Sequence, residues 1–386
     1  MTEAETRAAA WLEAWDSQGI HRTGTAGDLA GAGWLAAEAA VLGAKVEIEE
    51  FALNRLDPVA AYLEIDGDRI PAVPLFDALP TAPEGIAGRL DLAGSDAEIG
   101  VVKLSPNSAS TRPFQALRRG TQHRALVFIC GGEEPGLALL NAEQFRTPFD
   151  PPAIHVGSEA CDQVLAAAAR GAPARLVADS RCNAAKASNV VVTLAGCDRA
   201  RLPMVVMTPR SSWWQSTAER GGGLVCWLES LRALLAAPTP GDVIFTANSG
   251  HELNHLGLDD FLERRPGWDR PAGDGGASWV HYGANLGAAG GVLSLASNTD
   301  ALRRLSLGEL TAVGQPPDDM PPADQQPFGE TRDIHRAGGA YLTLVGSNRW
   351  FHLPQDRWPA TIDLAAVARI AAASARIVLV LSRSRS

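Results

Sequence analysis

The chain has 386 residues, 46% hydrophobic and 20% charged, with a formal net charge of −10. This is globular composition with enough apolar residues for a sizeable core, and the length exceeds what one compact domain usually holds. An acidic chain without basic runs argues against nucleic acid or an anionic membrane as a partner.

Residues 2–18 read as an amphipathic helix with Trp11, Leu12 and Trp15 on one face. Its acidic start lacks the basic-then-apolar pattern of a signal segment, and no uninterrupted apolar run reads as long enough to cross a bilayer. Asp28 is the expected N-cap of a second helix through Trp34, Leu35, Ala39 and Leu42, which Gly43 stops. Residues 46–51 alternate as a strand does. Between 57 and 179 the strands are short and Gly/Pro turns frequent. Strands are expected at 61–65, 70–75, 99–104, 125–130 and 152–156, and a helix at 158–170.

After a strand at 189–194 the pattern becomes strand–helix alternation. Strands fall at Val205-Val206, 243–245, 279–282 and 341–345, and helices at 224–235, 253–264, 298–305 and 364–373. The expected fold class is α/β: a three-layer α/β/α sandwich around a largely parallel sheet, with ligands at the carboxyl ends of the strands. A Pro-rich loop, 315–327, lies near that edge. The expected division is residues 1–56 with 180–386 as the sandwich and 57–179 as a β-rich insertion. Five widely spaced cysteines, with no C-x-x-C, read as buried, reduced thiols in a cytoplasmic protein.

Five stretches share a register with a known family. They are His21-Arg22-Thr23-Gly24-Thr25-Ala26-Gly27-Asp28, Thr208-Pro209-Arg210, Glu219-Arg220-Gly221-Gly222-Gly223, Gly250-His251-Glu252 and Phe351-His352-Leu353-Pro354-Gln355-Asp356. Together they resemble the co-catalytic zinc aminopeptidases, whose relatives include bacterial leucine aminopeptidases, glutamate carboxypeptidase II and glutaminyl cyclase. The insertion resembles their protease-associated domain. The resemblance implies zinc ligands at Glu219, in place of the bridging Asp, at Glu252 and at His352. It implies loss of the other ion, because Thr208 stands at the early His and no carboxylate lies within 282–285. One zinc is therefore expected.

His251 takes the place of the family's general base, and imidazole is suited to proton transfer near neutrality. Arg210 replaces an Asp that orients the lost His. A guanidinium there either clamps a substrate carboxylate or pairs with Glu219. Trp213 and Trp214 read as a substrate wall or as a lid over core residues. His251-Glu252-Leu253-Asn254-His255 also matches H-E-x-x-H, but that motif needs a long helix and here it follows a strand and a loop. His281 reads as a satisfied core histidine.

The function so implied is a metallopeptidase-like hydrolase that cleaves an amide bond of a small molecule or peptide with one zinc. The alternatives are a non-catalytic peptide- or protein-binding module, a cyclase or lyase using the single-metal site, and metal-free catalysis by His251 and Arg210. The oligomeric state is left open.

Overall fold

The computed structural model describes residues 1–198 and 200–384. Helices α1 (Glu3–Asp16) and α2 (Ala26–Val41) lead into β1 (Val46–Ile65). There follow β2 (Asp68–Pro74), β3 (Ile86–Leu92), β4 (Ile99–Leu104), α3 (Arg112–Gly120), β5 (Ala125–Cys130), β6 (Ala153–Gly157) and α4 (Cys161–Ala169). Strand β7 (Pro173–Leu194) then returns the chain to the main body. The rest comprises β8 (Met204–Pro209), α5 (Gly222–Leu235), β9 (Val243–Asn248), α6 (Leu256–Glu263), β10 (Ser278–Tyr282), β11 (Leu293–Ser297), α7 (Asp300–Ala312), α8 (Thr331–Ala337), β12 (Ala340–Gly346) and α9 (Leu364–Arg383).

Strands β9, β8, β10 and β12 form a parallel centre, flanked by antiparallel β7 on one side and antiparallel β11 on the other. Strands β8 and β9 are buried along their whole length, as expected of strands covered on both faces. Helices α1, α2, α5, α7 and α9 pack on one face through Trp15, Leu35, Trp227, Leu310 and Ile377, among others. Helices α6 and α8 cover the other face through Phe261 and Ile334, against Val205, Ile244 and Trp279. The molecule is thus the expected α/β/α sandwich.

Strands β1, β2, β6, β5, β4, β3 and β7 pair in that order, and β1 also pairs with β7, which closes a barrel. Its interior holds Leu63, Leu90, Ile99, Val127, Ile154 and Leu176. Strands β1 and β7 are far longer than expected. They pair antiparallel from Val46↔Val192 to Ile65↔Ala174, with one register shift between Pro58 and Ala60. Pro58 has no N–H to give a ladder, so an irregularity is where it fits. The boundaries expected at 57 and 179 fall inside this two-stranded ribbon.

Three local expectations change. Asp28 lies inside α2, whose N-cap is Thr25, and accepts from the Gly24 N–H at 2.8 Å. Helix α9 is long and apolar enough to cross a membrane by length and composition, but its Val367, Ile370 and Ile377 are core residues packed with α5. All five cysteines are free, yet Cys182 and Cys197 are exposed and only Cys130 and Cys226 are buried.

Candidate active site

The carboxyl ends of three of the parallel strands, β9, β10 and β12, meet the loops after β4 and β5 of the barrel. Between them lies a cleft of about 670 Å³. Its sandwich wall includes His251, His255, His281, Asn285, Arg332 and His352, and its barrel wall includes Ser105 and Glu143. Four of the chain's eight histidines therefore face one cavity.

His251 follows β9 in a tight turn. Asn254 and His255 both adopt left-handed backbone, with φ of 58° and 60°, so the H-E-x-x-H stretch is a short 3-10 turn that breaks off and not an α-helix. The His251 and His255 rings lie 5.1 Å apart. The Asn189 side chain clamps the turn: it donates to the Gly257 carbonyl at 2.8 Å and accepts from the Ser249 N–H at 3.3 Å.

Behind His251 sits Glu330, the residue that opens α8. It is fully buried. His281 Nε2 faces one of its oxygens at 3.4 Å and His251 Nδ1 faces the other at 3.8 Å. Neither nitrogen and neither oxygen has a hydrogen-bond partner. The other nitrogen of His281, Nδ1, lies 2.7 Å from Thr343 Oγ1 and 3.1 Å from Thr331 Oγ1. His281 is therefore only half satisfied, not the core histidine expected. Burial alone would raise the Glu330 pKa, but the two imidazoles facing it hold it below the usual range. Burial lowers His251 to about 3, so its imidazole is neutral at pH 7. His255 Nδ1 contacts Asp333 Oδ2 at 2.5 Å. The sequence offered little to find Glu330 with: it follows a Pro-rich loop in a stretch crowded with charges.

Of the three expected zinc ligands, two come together. His352 Nε2 lies 3.5 Å from Glu219 Oε1, and both groups are buried. His352 Nδ1 lies 2.6 Å from the Leu139 carbonyl and donates to it, which leaves Nε2 as the ring atom that faces Glu219. Glu252 does not join them. One of its oxygens accepts from the Thr23 N–H at 3.0 Å and the Thr23 hydroxyl at 2.7 Å; the other accepts from Ser211 Oγ at 2.5 Å. Arg220 Nη2 lies 2.7 Å from Glu219 Oε1, the same oxygen that faces His352. Burial would raise Glu219, but Arg220 and His352 outweigh it and hold it at about 2. Two protein donors, one already facing a guanidinium, fall short of the three that a catalytic zinc takes. Among the described residues no group of three or more His, Cys, Asp or Glu side chains can hold a metal ion. The residues present do not fit zinc.

Thr208, which stands at the early His of the other ion's set, is fully buried and turned into the scaffold. Thr208 Oγ1 donates to the Tyr282 carbonyl at 2.7 Å. Helix α5 approaches so closely that a Cβ on Gly223 would lie 2.7 Å from that hydroxyl.

Arg210 and the two tryptophans do not line the cleft. Arg210 is fully buried, 2.8 Å from Asp28 Oδ1, and donates to the Ser188 carbonyl at 2.8 Å. It pairs with Asp28, not with Glu219 or a substrate, because α2 delivers that carboxylate to it. Trp213 is 2% exposed, stacks on Phe76 and donates to Asn141 Oδ1 at 3.1 Å. Trp214 donates to the His352 carbonyl at 2.9 Å. Both belong to the apolar seam that joins barrel and sandwich. The lid over core residues describes them.

No protein-family model and no curated protein sequence matches the chain. Among solved structures it is similar to BSAP, a zinc aminopeptidase from Bacillus subtilis, with a TM-score of 0.74 and 15% identity over 96% of this chain and 94% of that one. It is also similar to a peptidase M28 precursor from Shewanella amazonensis, with a TM-score of 0.74 and 15% identity over 100% and 96%. An aminopeptidase from Aneurinibacillus sp. strain AM-1 gives 0.70 and 13% over 96% and 92%. The chain has the fold of these aminopeptidases. At such identities the likeness is one of architecture.

Proposed function

We propose that the chain is an amide-bond hydrolase of the zinc-aminopeptidase fold. It works on a small molecule or peptide end in the cleft between barrel and sandwich, without zinc on the Glu219–Glu252–His352 set. The observation that carries this reading is the His251–Glu330–His281 cluster. It gathers neutral and anionic acid–base groups at the strand ends where this class of fold places its ligands. A neutral His251 accepts a proton from water as the water attacks the carbonyl carbon, and returns it to the departing amine. Buried Glu330 favours the imidazolium formed in between. Arg332 Nε and Asn285 Oδ1, on residues of the cleft wall and without hydrogen-bond partners, supply a donor and an acceptor that orient a substrate amide. The test is turnover of a panel of dipeptides, amino-acid amides and N-acyl amino acids in the presence of a chelator. Turnover that survives chelation and is lost in His251→Ala supports the reading. Turnover abolished by chelation and restored by zinc overturns it.

The second reading is a non-catalytic binding module for a peptide or small amide. Its support is the saturation of Glu252 by Thr23 and Ser211, which ties a residue of the expected metal set into the scaffold. In that case the same panel shows binding by calorimetry and no product.

A further inference from the structure

The Glu219–His352 pair poses a physical problem that the proposed hydrolase does not use. His352 Nε2 faces a carboxylate oxygen 3.5 Å away, with no hydrogen-bond partner on either atom. The Glu219 carboxylate has no hydrogen bond to either oxygen in a site shielded from water, since Glu219 is fully buried and His352 is 1% exposed. Such an arrangement holds only if positive charge stands beside it.

The cation present is Arg220. Its Nη2 is 2.7 Å from Glu219 Oε1 and the residue is 1% exposed. Its Nε donates to the Ser211 carbonyl at 2.6 Å, which fixes the plane of the guanidinium. Nη1 and Nη2 make no hydrogen bond, so the group acts on Glu219 as a charge at short range and not as a hydrogen-bonded fork. The backbone that carries both residues is also held. Asp356 accepts from the Ala218 N–H at 2.8 Å and the Glu219 N–H at 2.9 Å, and the Arg220 N–H donates to the Ser216 carbonyl at 3.0 Å. The π-helical turn Thr217–Gly221 brings the two side chains together in one buried spot.

We propose that Arg220 is the resident cation of this centre. Its guanidinium supplies the positive charge that a metal ion would bring to Glu219 and His352, and by occupying that position it keeps zinc out. The residue next to the expected bridging ligand has become a covalently tethered counter-ion. It cannot be removed by chelators or by acid, and it carries one charge where a zinc ion carries two. The inference concerns the layer beneath the cleft, so it stands whether the cleft catalyses or only binds.

The test uses the full chain and free cations as probes. Wild type is dialysed against zinc chloride at neutral pH, and its metal content and melting temperature are measured. Less than stoichiometric zinc and an unmoved melting temperature are expected. Arg220→Ala leaves Glu219 and His352 facing each other without a cation, so it melts lower. Millimolar guanidinium or added zinc then raises the Arg220→Ala melting temperature by about 3 °C or more, while leaving wild type unchanged. If Arg220→Ala does not fold, the double variant Glu219→Gln/Arg220→Met removes both charges with little change of volume. That variant is expected to fold and to ignore both cations. The proposal is overturned if wild type takes up one equivalent of zinc that Glu219→Gln abolishes. A folded Arg220→Ala that neither cation stabilises overturns it as well, and so does a double variant that binds zinc as wild type does not.

Discussion

Arg332 of α8 reaches across the cleft to Glu143 of the insertion, with Nη1 3.0 Å from the carboxylate, while its Nη2 donates to Asn254 Oδ1 at 3.1 Å. One side chain thus joins the barrel, the His251 turn and the helix that Glu330 opens. Removing it leaves Glu143 without its partner in a mostly buried place. Arg332→Ala is expected to lose about 3 kcal/mol of stability. Chemical denaturation measures the loss, and hydrogen exchange is expected to quicken around residues 137–146.

His251 is expected to matter for chemistry as the imidazole that both faces the cleft and neighbours buried Glu330. His251→Ala should lower kcat/KM for whichever amide is turned over by about 100-fold or more, and should also lower the melting temperature because buried Glu330 loses one of the two imidazoles that face it. Glu330→Gln, which keeps the shape and removes the charge, should lower kcat more than it raises KM.

Arg210 behaves differently. Its guanidinium is the charge partner of Asp28, and neither residue touches the cleft. Arg210→Met leaves a buried carboxylate unpaired and should cost about 3–5 kcal/mol in denaturant titration. In whatever protein remains folded, KM should be unchanged.

Three histidines make the fold sensitive to acid. Burial lowers His21, His155 and His251 to about 3 each. Unfolded, each takes up a proton near pH 6.5; folded, it stays neutral until about pH 3. The stability they contribute is therefore complete above pH 6.5 and is lost as pH falls toward 3. Each contributes a slope of about 1.4 kcal/mol per pH unit through that window. His21 stacks on Trp15 at 3.5 Å, so His21→Phe should keep the contact and make the curve shallower.

The sandwich was legible because its signals are local. Val205-Val206 and residues 243–245 are apolar runs bounded by turns, and the helices behind them carry apolar faces of the right period. The pairing of Glu219 with His352 was legible through register alone. The partners that decide the chemistry were not. Thr23 and Glu252 are separated by 229 positions, and nothing in either stretch announces their hydrogen bond. Arg220 was in plain view beside Glu219, but a sequence does not say which way an arginine turns in a π-helical turn. Glu330 becomes notable only when β9 and β10 bring His251 and His281 to it. The length of β1 was hidden by Pro58, which reads as an interruption until the register shift that accommodates it is seen.

The ribbon of β1 and β7 gives the insertion an attachment unlike a pair of linkers. It is a stiff beam rooted in the central sheet. Its root strand carries Asn189, whose amide grips both ends of the turn that presents His251. The root of the ribbon therefore shares the holding of the His251 turn with Thr23 and Ser211, which accept from the Gly250 and His251 N–H groups. The insertion and the histidine turn are thus fastened to the same strand, and neither can be re-registered without the other.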